Sequence, residues 1–424
     1  MEHGRITAIR NLAAQLGAEL STLSDAIGAH PEQAFHEVYA CQTLSRYLAE
    51  KGFSVDMGIG GLSTAFAASR GSGWPVIGFL GEYDALPGLG ENGGAGHGCG
   101  HNLLGTGAAG AAIVLSEYLE GRDLPGTVRF FGCPAEEAGA GKEILAREGV
   151  FSELSACFTW HPETHNRAVT QSTLANLIAE VEFHGTASHA ASSPQLGRSA
   201  LDACELMNVG ANYLREHVPP DVRVHYAYTN AGGQSPNIVQ ASASLLYYVR
   251  AETLSAAEDV LARLHDVARG AALMTGTGLS FRRTSTMSDY LPNGTLSRLA
   301  DKAFHEIGAP AFTEEDEAAA GRFSAKKPPF SAEIEPYGAY SGSLPISSDV
   351  GNVSHLVPTA QIYVACFAAG TPFHDRRMAE QSVLPAAHKG MMTAAAVLAA
   401  AAAELAESDG LLAAAQAEFL QRDP

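Results

Sequence analysis

The stretch VIGFLGEYDALPG occupies residues 76–88 and joins an apolar run to a polar loop that ends in proline and glycine. Such a run, closed by turn residues, is typical of a strand buried on both faces of a sheet. Three further runs have the same form: TVRFF (127–131), ACFTW (156–160) and QIYVACF (361–367). Because helical patterns alternate with the first three runs, the sequence predicts an α/β domain with a mostly parallel sheet.

A different pattern separates the third run from the fourth. Its predicted elements are a strand at Ile178–Phe183, a helix at Ser199–Glu216, strands at Val222–Tyr228 and Ser242–Val249, a helix at Ala256–Met274 and a strand at Leu279–Thr284. The order β-α-β-β-α-β is typical of a ferredoxin-like α+β module. We therefore expect a catalytic domain, residues 1–174 and 289–424, interrupted by a second domain at residues 175–288. Within the second part, Ala311–Pro345 is predicted to be irregular.

Composition restricts the class of partner. The 424 residues are 46% hydrophobic and carry a formal net charge of −19, which disfavours nucleic acid and anionic membranes. A small-molecule ligand is therefore expected. The N-terminal residues lack an apolar signal core, and the six cysteines are scattered, so we expect a cytoplasmic protein. The alanine-rich run Met391–Ala403 is shorter than the roughly 20 residues of a membrane span and is predicted to be a packed helix.

Potential metal ligands and acid-base groups follow all four apolar runs. They are Glu82, Asp84, His97, Cys99 and His101 after the first run, Glu136 and Glu137 after the second, His161 after the third and His374 after the fourth. Because parallel strands end at one edge of a sheet, these side chains are expected to lie together. Thiolate, imidazole and carboxylate groups suit zinc, and also manganese, cobalt or nickel. The sequence thus predicts a metal site at this edge.

We expect Cys99 to bridge two divalent ions, because a thiolate has lone pairs enough for both. One arrangement places His101 and Glu137 on one ion and His161 and His374 on the other. Two ions that share a water can lower its pKa and polarise a scissile carbonyl. Glu136, beside the ligand Glu137, then suits the general base. Asp84 is expected to orient a ligating imidazole, with His97 as a second candidate for that role.

Each residue also has an ordinary explanation when taken alone. An isolated buried cysteine is usually a small apolar side chain, and a pair of glutamates is usually a solvated surface. Five candidate ligands at the ends of four predicted strands favour the metal site instead. The segment GLGENG (88–93) matches a dinucleotide-binding pattern but does not open a helix directly, and no G-x-S-x-G serine motif occurs.

These residues resemble the metallo-aminoacylase and glutamate carboxypeptidase family, in the branch marked by a CGH loop (99–101) and PAEE (134–137). The longest similar segments are SPQLGRSALDA (193–203), VHYAYTNAGGQSPNIVQ (224–240) and SSDVGNVSHLVPTAQ (347–361). The resemblance implies a zinc-peptidase-like catalytic domain, interrupted by a lid that also forms a homodimer. It further implies two zinc or manganese ions per subunit, held by Cys99, His101, Glu137, His161 and His374, with Glu136 as the catalytic acid-base.

The resemblance also assigns roles to three residues of the lid: His189 in GTASH, Asn237 in SPNIV and Arg250 in YYVR. The family uses the histidine, often from a partner subunit, to stabilise an oxyanion, and the other two to hold a substrate carboxylate. A developing alkoxide needs a placed donor, and a guanidinium binds a carboxylate through two hydrogen bonds. One departure is that the common His-x-Asp of the family reads Glu82-Tyr83-Asp84 here, which leaves the preferred metal open.

The resulting hypothesis is a two-metal amidohydrolase that cleaves the amide bond of N-acyl or N-aroyl amino acids, with an acidic amino acid favoured by the resemblance. A dipeptidase or a broad aminoacylase is the alternative within enzymes. An alternative from another class is a metal-binding partner subunit without catalytic activity, and the sequence leaves a related second subunit open. Retention of Glu136 beside intact ligands favours an enzyme.

Overall fold

The computed structural model describes residues 2–137 and 140–421, which form thirteen strands and twelve α-helices. The strands are β1 (Ser54–Met57), β2 (Phe66–Ser72), β3 (Val76–Glu82), β4 (Gly126–Cys133), β5 (Ala156–Glu163), β6 (Arg167–Ala168), β7 (Ser172–Thr173), β8 (Ala175–His184), β9 (Arg223–Asn230), β10 (Ser242–Ala251), β11 (Gly278–Met287), β12 (Ser343–Leu344) and β13 (Thr359–Ala365). The helices are α1 (Glu2–Gly28), α2 (Val38–Glu50), α3 (His101–Glu120), α4 (Gly141–Arg147), α5 (Ala200–Leu214), α6 (Leu254–Thr275), α7 (Gly294–Ile307), α8 (Glu314–Ala320), α9 (Val350–Ser354), α10 (Arg376–Gln381), α11 (Pro385–Ala406) and α12 (Asp409–Leu420).

The chain divides into two compact units. The first runs up to Gln171 and includes Leu291–Gly342 and the chain from Val353 onward, and the second contains Ser172–Tyr290 and Ser343–Asn352. The sequence predicts boundaries at 174/175 and 288/289, within a few residues of these. It also predicts that Ser343–Asn352 belongs to the catalytic domain, but the segment lies in the second unit, where β12 pairs in parallel with β7.

A seven-stranded sheet in the order β1-β2-β4-β3-β5-β13-β6 forms the centre of the first unit. Its four middle strands, β4, β3, β5 and β13, run parallel, and they are the four apolar runs of the sequence. The outer strands β1, β2 and β6 are antiparallel to their neighbours. The structure thus confirms the predicted α/β sheet and adds antiparallel edges. The residues of β1 are mostly polar and exposed, so the sequence there has no buried-strand pattern from which this strand could be predicted.

Helix α3 passes directly over the carboxyl end of β3. A Cβ atom on Gly105 of α3 would lie 2.6 Å from the carbonyl oxygen of Glu82, so glycine is required for this close approach. Nearly every side chain of α3 is buried, and α1 and α11 pack against it. This contact holds the first residue of α3, His101, beside the end of β3.

Helix α11 contains the alanine-rich run Met391–Ala403, and the run is confirmed as part of a packed helix. The helix is longer than that run, with 22 residues. Among the described residues it is the one helix whose length and composition would allow a membrane span, and 72% of its most apolar window is buried inside the protein. Its neighbours are α1, α3 and α7, so it lies in the core of the first unit.

The second unit has the predicted ferredoxin-like order. Its sheet is β11-β8-β10-β9 and wholly antiparallel, and α5 and α6 share a core with it. Each helix begins at a capping side chain, Ser199 for α5 and Thr253 for α6, which accepts a backbone N–H of the first turn. In the second half of β8, Ala179, Val181 and Phe183 are buried in that core and alternate with exposed residues, which gives this part of the strand a period-two pattern.

The segment Ala311–Pro345 is predicted to be irregular, and this prediction was wrong in part. Helix α8 begins there with a capping box, in which the Thr313 hydroxyl accepts the Asp316 N–H and the Asp316 carboxylate accepts the Thr313 N–H. The Asp316 carboxylate also pairs with Lys389 of α11. A local cap and one distant ion pair therefore order a stretch whose composition suggests a loop.

Candidate metal centre and active site

The loops that follow the four parallel strands of the first unit converge at one edge of the sheet. The loop after β3 leads to Cys99 and His101, and the loop after β4 carries Glu136 and Glu137. His161 lies near the end of β5, and His374 follows β13. A backbone hydrogen bond joins two of these loops, because the His374 N–H donates to the Gly98 carbonyl at 3.1 Å. The expected clustering of ligand types is therefore present.

One candidate ligand group contains Cys99, His101 and His161. The ligand atoms of these three residues all lie within 4.8 Å of one another, and Cys99 Sγ is 3.4 Å from His161 Nε2. Gly100 makes the turn between Cys99 and His101 with φ of 76°, and a Cβ there would meet Phe367 and Pro162 at 2.8 Å. Only glycine suits this position, and it lets both neighbours face the same point.

A second candidate group contains Cys99, Glu137 and His374. Glu137 Oε2 lies 3.3 Å from His374 Nε2, and Cys99 is common to both groups. The arrangement expected from the sequence placed His101 with Glu137 and His161 with His374. His101 Nε2 does lie 3.9 Å from Glu137 Oε1, but the groups of converging ligand atoms place His161 with His101 and His374 with Glu137. The difference arises because β5 and the CGH loop are neighbours, so His161 faces Cys99, whereas the loop after β13 passes Gly98 and directs His374 to Glu137.

The two groups differ in their access to solvent. His101 is fully buried and Cys99 is 8% exposed, whereas the side chain of His374 is 56% exposed. The hydrogen bond to Glu137 raises the pKa of His374, although its partial burial opposes this. Burial lowers the pKa of His161 to about 4, so this imidazole is neutral and ready to ligate at neutral pH.

Asp84, which is predicted to orient a ligating imidazole, is hydrogen-bonded to the side chain of one candidate ligand, His101, and to the backbone of another, Glu137. Its Oδ1 accepts a hydrogen bond from His101 Nδ1 at 2.9 Å, and its Oδ2 accepts the Glu137 N–H at 2.9 Å. The first bond leaves His101 Nε2 as the ligating nitrogen. His161 is oriented in the same way, because its Nδ1 donates to the Pro162 carbonyl at 2.9 Å. His97 is buried nearby, and burial lowers its pKa to about 4.

The donor set fits two divalent cations that share Cys99. Within residues 2–137 and 140–421, His101 Nε2 and Glu137 Oε1 are buried atoms that lack a hydrogen-bond partner. Burial and the nearby Glu137 carboxylate raise the pKa of the Cys99 thiol well above its usual range. A cation would satisfy both unpaired atoms and stabilise the thiolate, since metal ligation requires the deprotonated thiol.

A third group contains Glu82, His101 and Glu136, and beside it lies a residue that the sequence did not indicate. Lys142 of α4 is fully buried, and its Nζ lies 2.6 Å from Glu82 Oε1. The other oxygen of Glu82 lies 3.4 Å from His101 Nε2. Burial, the largest single influence, acts to raise the pKa of Glu82, but the charge and hydrogen bond of Lys142 together with the charge of His101 outweigh it, so the pKa is lowered. The one sequence signal for Lys142 is its position five residues after the candidate ligand Glu137.

The three lid residues are all in the second unit. His189 follows β8, and its Nδ1 accepts the N–H groups of Ala191 and Ser192 at 3.2 Å each. Asn237 lies in the exposed connection between β9 and β10, where its carbonyl accepts the Ala190 N–H at 2.9 Å. These contacts bring the GTASH and SPNIV segments together in one loop pair. They also leave His189 Nε2 as the nitrogen available to another group.

Arg250 lies near the end of β10 and is partly buried. One of its guanidinium nitrogens, Nη1, donates to the Ser347 hydroxyl at 2.7 Å. This bond helps to explain why Ser343–Asn352 belongs to the second unit despite its distance along the chain. A guanidinium has five N–H donors, so the remaining ones are enough for a two-point contact with a carboxylate.

Comparison with known proteins agrees with this geometry. Residues 78–367 match peptidase family M20/M25/M40. The chain is 42% identical to one of the subunits of the p-aminobenzoyl-glutamate hydrolase of Escherichia coli (strain K12), with 88% of this chain and 86% of that protein covered. It is 34% identical to the Xaa-Arg dipeptidase of Mus musculus, with 81% of this chain and 76% of that protein covered.

Among solved structures, the aminobenzoyl-glutamate utilization protein from Klebsiella pneumoniae aligns with a TM-score of 0.67 over 92% of this chain and 97% of that chain. At 19% identity this likeness supports the fold alone. The sequence matches confirm the resemblance that the CGH, PAEE and longer motifs indicate, including the likeness of the longer motifs to a subunit of p-aminobenzoyl-glutamate hydrolase.

Proposed function

Because this chain belongs to peptidase family M20/M25/M40 and is a metal-dependent amidohydrolase, we propose that it hydrolyses the amide bond of N-acyl or N-aroyl amino acids. The leading substrate is p-aminobenzoyl-glutamate, because the relative that is 42% identical is a subunit of a hydrolase named for that compound. The observation that carries the proposal is the convergence of five candidate metal ligands, of which Cys99 is common to both groups, with Glu136 beside them.

We propose zinc or manganese as the two ions, with Cys99 as the shared ligand. His101 and His161 would complete one site, and Glu137 and His374 the other. When bound, such ions polarise a carbonyl and make a water a stronger nucleophile at neutral pH. The mixture of thiolate, imidazole and carboxylate is compatible with either metal.

Glu136 takes the proton of the attacking water and then passes it to the nitrogen of the leaving amine. Its place beside Glu137 and within the group that contains His101 puts its carboxylate next to the ligands without requiring it to bind an ion. Asp84 holds His101 in the ligating tautomer and tethers the Glu137 backbone, so both catalytic loops are preorganised by one carboxylate.

The lid residues are proposed to act on the substrate. His189 would donate to the developing oxyanion through Nε2, because its Nδ1 already accepts two backbone N–H groups. Arg250 and Asn237 would hold the substrate carboxylate. We expect Arg250→Ala to raise KM for carboxylate substrates at least about tenfold, because the variant loses one charge-assisted hydrogen bond to the substrate. The matching substrate amides should show little change, and equal effects on both would contradict the role.

The main test is Glu136→Gln, which keeps the size of the side chain and removes the base. Amine release from p-aminobenzoyl-glutamate should fall about 10²- to 10⁴-fold while metal content per chain stays unchanged. Glu153→Gln, a change in a surface ion pair with Arg129, is the control. Unchanged turnover in Glu136→Gln would contradict the proposed base. Turnover by the purified wild type would exclude the alternative of a partner subunit without activity.

A dipeptidase is the second candidate, favoured by the 34% identity to an Xaa-Arg dipeptidase. The two candidates differ in whether the acyl side of the substrate carries a free amine. Purified protein loaded with manganese or zinc should be compared on p-aminobenzoyl-glutamate and on dipeptides with a C-terminal arginine. Preference for the dipeptides would replace the leading substrate without changing the amide chemistry.

We also propose that the chain is cytoplasmic and forms a homodimer through the second unit, or pairs with a related subunit, as the name of the hydrolase relative suggests. β9 is an edge strand of its sheet, and Tyr226 and Tyr228 on it are exposed. Exposed Tyr213 and Val209 lie on helix α5 of the same unit. Light scattering on the purified chain tests the homodimer, and Tyr228→Lys should favour the monomer if β9 is in the interface.

A further inference from the structure

Glu37, at the start of α2, has no role in the chemistry described above, yet its side chain is fully buried. Its Oε1 accepts two backbone hydrogen bonds, from the Phe35 N–H at 2.9 Å and from the Ala135 N–H at 2.8 Å. The first partner is local. The second lies 98 residues away, in the loop that carries the proposed base.

Ala135 directly precedes Glu136 and has an unusual backbone conformation. Its φ is 60°, a value that non-glycine residues rarely adopt and that costs on the order of 1 kcal/mol or more. Its side chain is buried, and its carbonyl accepts the Gly141 N–H at 3.3 Å. A conformation of this kind persists only where neighbouring groups hold it, so the bond from Ala135 to Glu37 has a structural consequence for Glu136.

The residue after Glu136 is held as well, because the Glu137 N–H donates to Asp84 Oδ2 at 2.9 Å. Glu136 therefore lies between two backbone N–H groups, each bound by a buried carboxylate. We propose that Glu37 is a positioning residue for Glu136, acting through the Ala135 N–H. This inference rests on the proposed function, in which Glu136 is the base.

Formation of α2 does not explain Glu37, because another side chain supports the first turn of that helix. Glu32 accepts the N–H groups of Tyr39 and Ala40 at 2.9 and 3.1 Å. The Glu37 side chain makes no capping hydrogen bond to the helix it begins. Glu32 is thus a matched control, a carboxylate that accepts two N–H groups of the same helix and, within the described residues, none from the loop that carries Glu136.

Two conservative variants separate position from charge. Glu37→Gln keeps an acceptor oxygen at the same reach and removes the charge, whereas Glu37→Asp keeps the charge and withdraws the acceptor by one methylene. A misplacement of about 1 Å in a catalytic group can lower turnover about 100-fold. We expect Glu37→Asp to lower kcat about 10- to 100-fold, with KM changed less than about threefold, and Glu37→Gln to stay near the wild type.

The experiment measures kcat and KM for amine release from p-aminobenzoyl-glutamate, or from whichever acyl amino acid the wild type cleaves, together with metal content. Wild type, Glu37→Gln, Glu37→Asp, Glu32→Asp and Glu136→Gln are compared as full-length, metal-loaded proteins. The expected result is a loss of kcat confined to Glu37→Asp and Glu136→Gln, with metal content unchanged. Wild-type kcat in Glu37→Asp, or a loss in Glu37→Gln as large as in Glu37→Asp, would overturn the inference.

The set also separates this inference from the proposed function. Retained turnover in Glu136→Gln would remove the base itself, whereas collapse in Glu136→Gln with a normal Glu37→Asp would remove only the positioning role. Amide hydrogen exchange of the peptide that contains Ala135 is a readout independent of turnover. Exchange should be faster in Glu37→Asp than in Glu37→Gln or Glu32→Asp, and equal exchange in all three would contradict the tether.

Discussion

Glu82 and Glu37 both lie beside the loop that carries Glu136 and are almost equally buried, at 2% and 0% exposure, but their surroundings differ. Glu82 pairs with the buried ammonium of Lys142, whereas the hydrogen bonds that Glu37 Oε1 accepts come from backbone N–H groups. Burial acts to raise the pKa of Glu82, but Lys142 and His101 together outweigh it and lower the pKa. Burial dominates at Glu37 and raises its pKa to about 7.

The contrast teaches that burial alone does not determine what a carboxylate contributes. Glu82 stays charged at neutral pH and adds negative charge next to His101, where a cation would be held. Glu37 is close to half protonated near pH 7, and an acceptor oxygen is available in either state. One residue therefore contributes charge to the metal centre, and the other contributes geometry to the loop that carries the base.

Removal of the Lys142 ammonium beside Glu82 should cause the largest loss of stability. Lys142→Met leaves a buried carboxylate without its partner, which typically costs about 3–5 kcal/mol. Urea unfolding of the metal-free protein at neutral pH measures the change. The double variant Lys142→Met with Glu82→Gln should recover most of the lost free energy of unfolding. If the single variant is as stable as the wild type, the ion pair has no net role in stability.

A smaller change in stability, confined to a defined pH range, is expected from the titration of Glu37. Its pKa is raised from 4.5 to about 7 in the folded state, so between these values the folded protein binds more protons than the unfolded chain. The wild type should therefore lose stability as the pH rises through this window, by at most about 3 kcal/mol. Glu37→Gln lacks this titration, so its stability relative to the wild type should increase from low pH to neutral pH and then level off.

Unfolding midpoints measured across that pH window test this prediction, and Glu82→Gln is the contrast. The lowered pKa of Glu82 means that its contribution to stability is present above the unfolded pKa and is lost at lower pH. The Glu82→Gln variant should therefore show no gain toward neutral pH. If the unfolding midpoints of the two variants changed with pH in the same way, the pKa values of Glu37 and Glu82 would not be shifted in opposite directions, and the proposed effect of Lys142 would be wrong.

Metal affinity should respond least in free-energy terms. Glu82→Gln removes a negative charge next to His101 and should weaken metal binding about 10- to 100-fold, the range typical of groups that support a ligand. Glu37→Gln should leave metal affinity unchanged, because Glu37 contacts the loop backbone through Ala135. Competition titration with a chromophoric chelator measures both constants. An equal loss of metal affinity in the two variants would contradict the view that Glu82 contributes charge to the metal centre while Glu37 only positions the loop.

Much of the architecture could be predicted because its signals are local. The strands β3, β4, β5 and β13 are continuous apolar runs, and alternation along β10 and the second half of β8 marks a sheet with one covered face. The antiparallel edge strands and the pairing of β12 with β7 could not be predicted. Except for β2, these strands have two to four residues, which is too few for a pattern of their own, and they form where a distant partner is available.

The candidate site divides in the same way. Residue order was enough to predict which ligand types stand at the strand ends, Cys99 and His101 after β3 and Glu137 after β4, because a parallel sheet brings those ends together. The folded chain was needed to show that His161 faces Cys99 while His374 faces Glu137. It was needed as well for the supporting roles of Lys142 and Glu37, since a buried ion pair and a hydrogen bond across 98 residues depend on packing between distant segments, which periodicity and spacing do not encode.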